Sequence, residues 1–395
     1  MKYVVVIPSG ALDLPSPAHG DRTPLQTVDL PCLNELAQRG PCGATAVSTP
    51  DQPPLADGCL AGVLGYPPDA IAGGSAALFA AGAGISLNSR DQPLLFDLIT
   101  LSNDVLMDDR AGYISRSERA PLMEALRGTL SKEFVLHDGP TQSQLMVWNG
   151  IGSLNRLTTT PPETAIGRSF KALLPRGTHS SPLAELMRMS RSILSSHDIN
   201  QVRTDLGENP ANAAAIWGAG PLPRLEPFKS RFGVRGAMVS SWPVARGLAR
   251  VLGWFAVAPS ETERDFPAAC DSHLATALEM LERTDLVCIH LDLAAATGAH
   301  LLFERKCDCL RTLDGGLLGP LLARLTIEGD WRMLVMPDRF APAAFPQARS
   351  GQTVFVMAGS GIHSNRGQRF DEHAAADGEL RVTHGWELME YFIRR

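Results

Sequence analysis

The sequence predicts an α/β protein: a doubly wound, mostly parallel core sheet with a smaller α+β domain inserted into it. Three observations carry that expectation. Lys2 to Pro8 is an unbroken apolar, β-branched run, as in a central strand covered on both faces by helices. Beyond Arg231 the chain alternates helical and strand patterns, which is the order of a parallel sheet with helical crossovers. Between them, residues 117–204 carry helices and short strands of their own, so the expected division is core 1–116, inserted domain 117–204 and core 205–395.

The first strand ends in Pro8-Ser9-Gly10, and in such sheets the carboxyl ends of strands carry the ligand site. Pro31 to Arg39 reads as a helix, with proline in its first turn and Gly40 as its stop, followed by a strand from Cys42 to Ser48. Gln52 to Pro68 is a loop turning into a short helix, and Phe96 to Leu101 is another strand. The inserted domain is expected to hold a helix at Arg119 to Leu130, strands near Phe134 and Leu145 to Trp148, and a helix from Pro182 to Ser196. Ala211 to Gly220 and Arg231 to Ser240 are expected to return the chain to the core sheet. Then come helix Val244 to Leu252, strand Gly253 to Val257, helix Ala268 to Arg283 and strand Leu286 to Leu291. Helix Leu310 to Leu325, strands Trp331 to Met336 and Thr353 to Met357, and helix Gly385 to Arg394 complete the order.

With 395 residues, 44% of them hydrophobic and 20% charged, the chain is long enough for one large or two ordinary domains. The formal charge of -6, from 36 basic and 42 acidic residues, includes no basic run dense enough for nucleic acid. The longest apolar-looking stretch, Met238 to Ala258, is broken by Arg246 and Arg250, so no membrane span is expected. No signal peptide is legible at the start, and the seven cysteines sit mostly in apolar context, which together suggest a cytoplasmic address.

Several blocks carry a more specific signal. Pro53, Pro54, Asp57, Leu64, Gly65 and Tyr66 frame one loop; Ala111-Gly-Tyr-Ile-Ser115 and Arg231-Phe-Gly-Val-Arg-Gly-Ala-Met-Val-Ser240 are others. With Leu145-Met-Val-Trp148 and Met336-Pro-Asp-Arg-Phe-Ala-Pro342, they resemble the archaeal-type, cofactor-independent phosphoglycerate mutases of the alkaline phosphatase superfamily. The resemblance spans nearly the whole chain. It implies an alkaline-phosphatase-like core and interconversion of 3-phosphoglycerate and 2-phosphoglycerate with two divalent cations, Mn or Mg.

The same resemblance puts Ala56 where the family has its phosphorylated serine, and a methyl group cannot attack phosphorus. It puts Ser9, Ala295, Ala299, Arg339 and Ala348 at metal-ligand positions, with Asp338 retained and Asp13 matching a second aspartate. Gly73-Gly74-Ser75 stands where the family carries a phosphate-gripping arginine. The expectation is therefore a mutase-like pseudoenzyme with no metal cofactor, acting as a binding or regulatory partner of another protein. The alternatives are a mutase or related phosphotransfer activity through a remodelled site, and a sensor of a phosphorylated small molecule.

Asp13, Asp57, Arg203, Arg231 and Arg235 are the candidates for residual ligand binding. Arg339 is expected to pair with Asp338 in place of a metal. His290, Asp292 and His300 offer a substitute site, Ser9 a substitute nucleophile, and Cys307 with Cys309 a redox or metal pair. For each of these the plain alternative is an ordinary structural role.

Overall fold

The computed structural model describes residues 1–48, 55–260, 265–293, 303–342, 352–364 and 369–394. Alternation along the first strand, β1 (Lys2–Ser9), sets the architecture: Val4 and Val6 face one buried layer, Val5 and Ile7 the other. The layer under Val4 and Val6 also takes Val287, Ile289, Met333 and Val335, whereas Cys288, Leu334 and Met336 lie with Val5 and Ile7. The sheet is thus covered on both faces, which is why its strands read as continuous apolar runs.

The strands that follow are β2 (Cys42–Ala46), β3 (Gln92–Ser102), β4 (Val105–Asp108), β5 (Phe134–His137) and β6 (Ser143–Trp148). The two-residue strands β7 (Leu157–Thr158) and β8 (Arg176–Gly177) precede β9 (Ala213–Trp217). The rest are β10 (Gly236–Ser240), β11 (Phe255–Val257), β12 (Leu286–Asp292), β13 (Trp331–Val335) and β14 (Gln352–Gly359). The core sheet runs β11-β10-β12-β1-β13-β14-β2, with the first five strands parallel and β14 antiparallel to both neighbours. This is the doubly wound, mostly parallel sheet the sequence predicts.

The second sheet is wider than expected. It runs β4-β3-β6-β5, and β9 pairs with β3 on the other side. The inserted layer therefore begins at Gln92 and ends at Trp217 rather than spanning 117–204, and Ala213–Trp217 does not rejoin the core sheet. The reason is that β3 is buried along nearly all its length, so its sequence looks like a core strand. The chain crosses between layers at 84–91 and again at 218–227. Gly84 and Gly218, at φ 73 and φ 75, supply left-handed turns there. At the second crossing the Gly218 carbonyl accepts the amide of Ala76 at 3.2 Å.

One helix contact positions the site, and the helices on the other face depart from the expected pattern. The helices Ser75–Ala83 and Pro243–Val251 meet backbone to backbone, since a Cβ on Gly82 would lie 1.8 Å from the Pro243 carbonyl oxygen. A Cβ on Gly247 would lie 1.8 Å from that of Leu78. The expected helix Leu310 to Leu325 is instead Phe303–Thr312 and Gly319–Glu328, joined by a π-helical turn, Leu313–Leu318. Asp314 in that turn accepts the amides of Cys32 and Leu33 at 3.0 and 2.8 Å, capping the helix Pro31–Arg39, whose own N-cap residue, Leu30, provides no side-chain bond. No helix of the described residues is long and apolar enough to cross a membrane.

Candidate functional site

Parallel registry gathers the strand ends. Ser9 at the end of β1 lies opposite Asp292 of β12, and Ser240 of β10 lies opposite His290. At this edge, facing the inserted layer, is a narrow cavity of about 60 Å³, room for a few waters or a small oxyanion. Two helices begin at its wall: Ala56–Val63, which contributes Ala56 and Asp57, and Ser75–Ala83, which contributes Ser75. The N-terminal ends of both helices favour negative charge there.

The Ser75 hydroxyl donates to Asp57 Oδ2 at 2.5 Å, and the Gly58 amide donates to Oδ1 at 2.8 Å. Burial pushes the Asp57 carboxyl up; these two bonds and the Arg339 charge hold it down. Arg339 reaches Glu163 of the inserted layer at 3.8 Å. Arg110 lies 3.8 Å from Asp109 and 3.9 Å from Asp292, with Tyr113 under its guanidinium at 5.6 Å. His290 is buried and held neutral by burial; its Nδ1 pairs with the Ser240 hydroxyl at 3.0 Å and its ring stacks on Trp242. Three buried atoms at the cavity, His290 Nε2, Arg339 Nε and Asp97 Oδ1, have no hydrogen-bond partner among the described residues. Together these groups can receive an anion, polarise it and accept a proton from a hydroxyl.

Burial pushes the Glu163 carboxyl up to about 7, with Arg339 opposing and Asp109 reinforcing the rise, and burial lifts Asp109 to about 6. Glu163 ordinarily titrates at 4.5, so the folded chain holds a proton that the unfolded chain releases. Its contribution to stability is full below that value and is lost as pH rises through about 7. The Glu163→Gln variant should accordingly gain about 1–3 kcal/mol on wild type between pH 5 and pH 8. Equal changes in melting temperature for the two proteins over that range would refute this assignment.

The sequence-predicted residues divide. Ala56, Asp57, Arg339, His290 and Asp292 line the cavity. Ser9 and Asp338 lie beside it as a buried pair: the Ser9 hydroxyl donates to Asp338 at 3.0 Å and the Gly10 amide at 3.3 Å. The expected ion pair of Arg339 with Asp338 is not formed, because that carboxylate is already held by Ser9 and Gly10 while the guanidinium turns to Glu163. Ser9 does not line the cavity, so its hydroxyl is not placed to act as a nucleophile there.

The remaining candidates for ligand binding need correction. Asp13 forms a buried ion pair with Lys306 at 2.8 Å. Arg203 is tied to Glu118 and Glu208 at 2.9 and 3.0 Å, Arg231 stacks on Tyr66 and Phe232, and Arg235 is exposed near Asp285. None of the four lines the cavity. Cys307 and Cys309 are buried on a helix, and burial raises both thiols, that of Cys309 to about 11. Pro53, Pro54, Ala295, Ala299, His300 and Ala348 fall outside the described residues. Sequence reasoning missed Asp97, Asp109, Arg110 and Glu163; the only signal was the charged run Asp108-Asp109-Arg110 just before the Ala111 block.

Fold comparison gives the class first. A solved protein of Pyrococcus horikoshii superimposes with a TM-score of 0.71 at 22% identity, covering 99% of this chain and 96% of its own. The cofactor-independent phosphoglycerate mutase of Thermoplasma acidophilum gives 0.58 at 23%, covering 100% and 99%. The architecture is the one those proteins share.

Sequence comparison then gives the family. Residues 37–200 match the profile of 2,3-bisphosphoglycerate-independent phosphoglycerate mutase. A probable mutase of that kind from Geobacter sulfurreducens is 31% identical over 401 residues, covering 100% of both chains. The mutase of Methanothrix thermoacetophila is 29% identical over 397 residues, again covering 100% of both. The chain belongs to the 2,3-bisphosphoglycerate-independent phosphoglycerate mutase family.

That membership corrects the expectation of no cofactor. The relatives are independent of 2,3-bisphosphoglycerate, but their family is one of divalent-metal enzymes, so metal independence is not the expectation the family gives. Among the described residues, no group of three or more His, Cys, Asp or Glu side chains is arranged to hold an ion. Ser9 and Arg339 do not fit one, and positions 295, 299 and 348 lie outside the described residues. The roles assigned below are those of the described side chains, and the assays supply the family's divalent cations.

Proposed function

We propose that this cavity binds a small phosphorylated carboxylic acid of the phosphoglycerate class and moves its phosphoryl group through a site rebuilt away from position 56. The observation that carries the reading is the meeting of the Ser75–Asp57 pair, Arg339 and two helix N-termini on one cavity. Whole-length kinship with mutases supports the substrate class. Phosphoryl transfer is chiefly a matter of position and charge, which guanidinium groups and helix amides supply. The test is conversion of 3-phosphoglycerate to 2-phosphoglycerate by the full chain with Mn²⁺ or Mg²⁺ supplied. Turnover is expected, and its absence at millimolar substrate would sink the reading.

A second reading, favoured by the methyl group of Ala56, is binding without turnover, the chain serving as a sensor or regulatory partner. The two differ in what Ala56→Ser should do. If the old relay is intact but for its hydroxyl, the variant should gain mutase activity by ten-fold or more. If the site has been rebuilt, it should change turnover by less than about two-fold, because the residues that activated the lost hydroxyl are gone as well. A coupled assay on the purified variant distinguishes them.

A further inference from the structure

We propose that Ser75 is the hydroxyl that takes the phosphoryl group, with Asp57 as the base that receives its proton. This rests on the phosphotransfer reading above and adds to it the acceptor atom. The hydroxyl absent from the first residue of one helix, Ala56–Val63, is presented by the first residue of the next, Ser75–Ala83, at the wall of the same cavity. Ser75 is 4% exposed, and its proton points at a carboxylate 2.5 Å away. A hydroxyl held this way by a carboxylate is a nucleophile with its base in place.

The surroundings suit an anion. Ser75 is the first residue of a nine-residue helix, whose N-terminal end favours negative charge, and the Arg339 guanidinium lies near enough to lower the Asp57 carboxyl. His290, 3% exposed, and Asp97, 7% exposed, each bring to this cavity a polar atom with no partner among the described residues. Unsatisfied buried polar atoms cost about 1–3 kcal/mol each, a cost that a ligand bonding to them would remove. Burial raises the Asp97 carboxyl, with the bond from the Trp217 indole opposing the rise.

The rival hydroxyls are less well placed. Ser9 has its own carboxylate partner in Asp338 but does not line the cavity. Ser143 does line it but begins a strand, with no helix amides behind it.

The step balances as follows. Ser75 Oγ attacks phosphorus, the new Oγ–P bond forms, and the P–O bond to the donor alcohol breaks. The Ser75 proton passes to the Asp57 carboxylate, which returns it to the departing oxygen. Reversal onto the other hydroxyl of the same glycerate completes a mutase cycle.

The experiment incubates the full chain with radiolabelled 3-phosphoglycerate in the presence of Mn²⁺, quenches with acid and maps the label by peptide mass spectrometry. The expected result is an acid-stable phosphoester on Ser75, absent in Ser75→Ala and formed about 100-fold more slowly in Asp57→Asn. Ser75→Thr, which keeps a hydroxyl, should retain label, and melting curves establish that each variant is folded. Label on Ser9 or Ser143, or turnover by Ser75→Ala at the wild-type rate, overturns the assignment of Ser75 while leaving phosphotransfer standing. Absence of both label and turnover in the wild type overturns both.

Discussion

Replacing Lys306 by methionine should cost about 3–5 kcal/mol of folding stability, the largest single loss expected outside the backbone contacts. Its ammonium is wholly buried, 2.8 Å from Asp13 Oδ2, and also donates to the carbonyls of Ala341 at 2.7 Å and Leu12 at 3.3 Å. Methionine replaces the apolar stem of the side chain but leaves the Asp13 carboxylate in a low-dielectric interior without its counter-charge. Burial alone depresses the lysine, and Asp13 restores part of that loss, so each group depends on the other. Urea denaturation measures the effect, and the double variant Asp13→Asn with Lys306→Met should recover a good part of it. A loss below about 1 kcal/mol for Lys306→Met would mean that the pair is solvated in a way its burial does not suggest.

Adding one methyl group at Gly82 should be nearly as damaging, about 3 kcal/mol, because there is nowhere for it to go. The new Cβ would sit 1.8 Å from the Pro243 carbonyl oxygen and 2.5 Å from the Gly247 amide nitrogen, both backbone atoms on a facing helix. Relief requires the two helices to part, and one of them carries Ser75. Gly82→Ala should therefore lower any phosphotransfer activity along with stability. Gly128→Ala is the control: its Cβ would meet nothing closer than 3.7 Å, so its stability should change by less than about 1 kcal/mol. Equal denaturation midpoints for the two variants would show that the helix contact is not as close as drawn.

Much of the core was legible because burial on both faces of a parallel sheet writes itself into the sequence as unbroken apolar runs, as Lys2–Ser9, Leu286–Asp292 and Trp331–Val335 do. The same signal misplaced Gln92–Ser102, since a strand buried in a second sheet looks no different. Helix ends with proline starts, such as Pro31–Arg39, were found to the residue.

At the site, position mattered more than residue type. Asp57 and Arg339 were found because they sit in a recognisable frame, but Glu163, on a short turn far along the chain, meets Arg339 only through packing between layers. Arg203 and Arg231 were misjudged because arginine serves buried ion pairs and aromatic stacking as readily as it serves ligands. Ser75 was visible only as a departure from a family pattern; its partner at 2.5 Å, eighteen residues back, could be seen only in three dimensions.

The bond from the Ala76 amide to the Gly218 carbonyl has a mechanical meaning. A cavity of about 60 Å³ does not admit a three-carbon phosphoester as it stands, so a substrate of that size requires it to widen. One of the two chain crossings between the layers is tied by that 3.2 Å bond to the residue after Ser75 and packs against Gly73 and Gly74. Any widening of the cavity at this crossing would therefore be felt at the residue next to the hydroxyl.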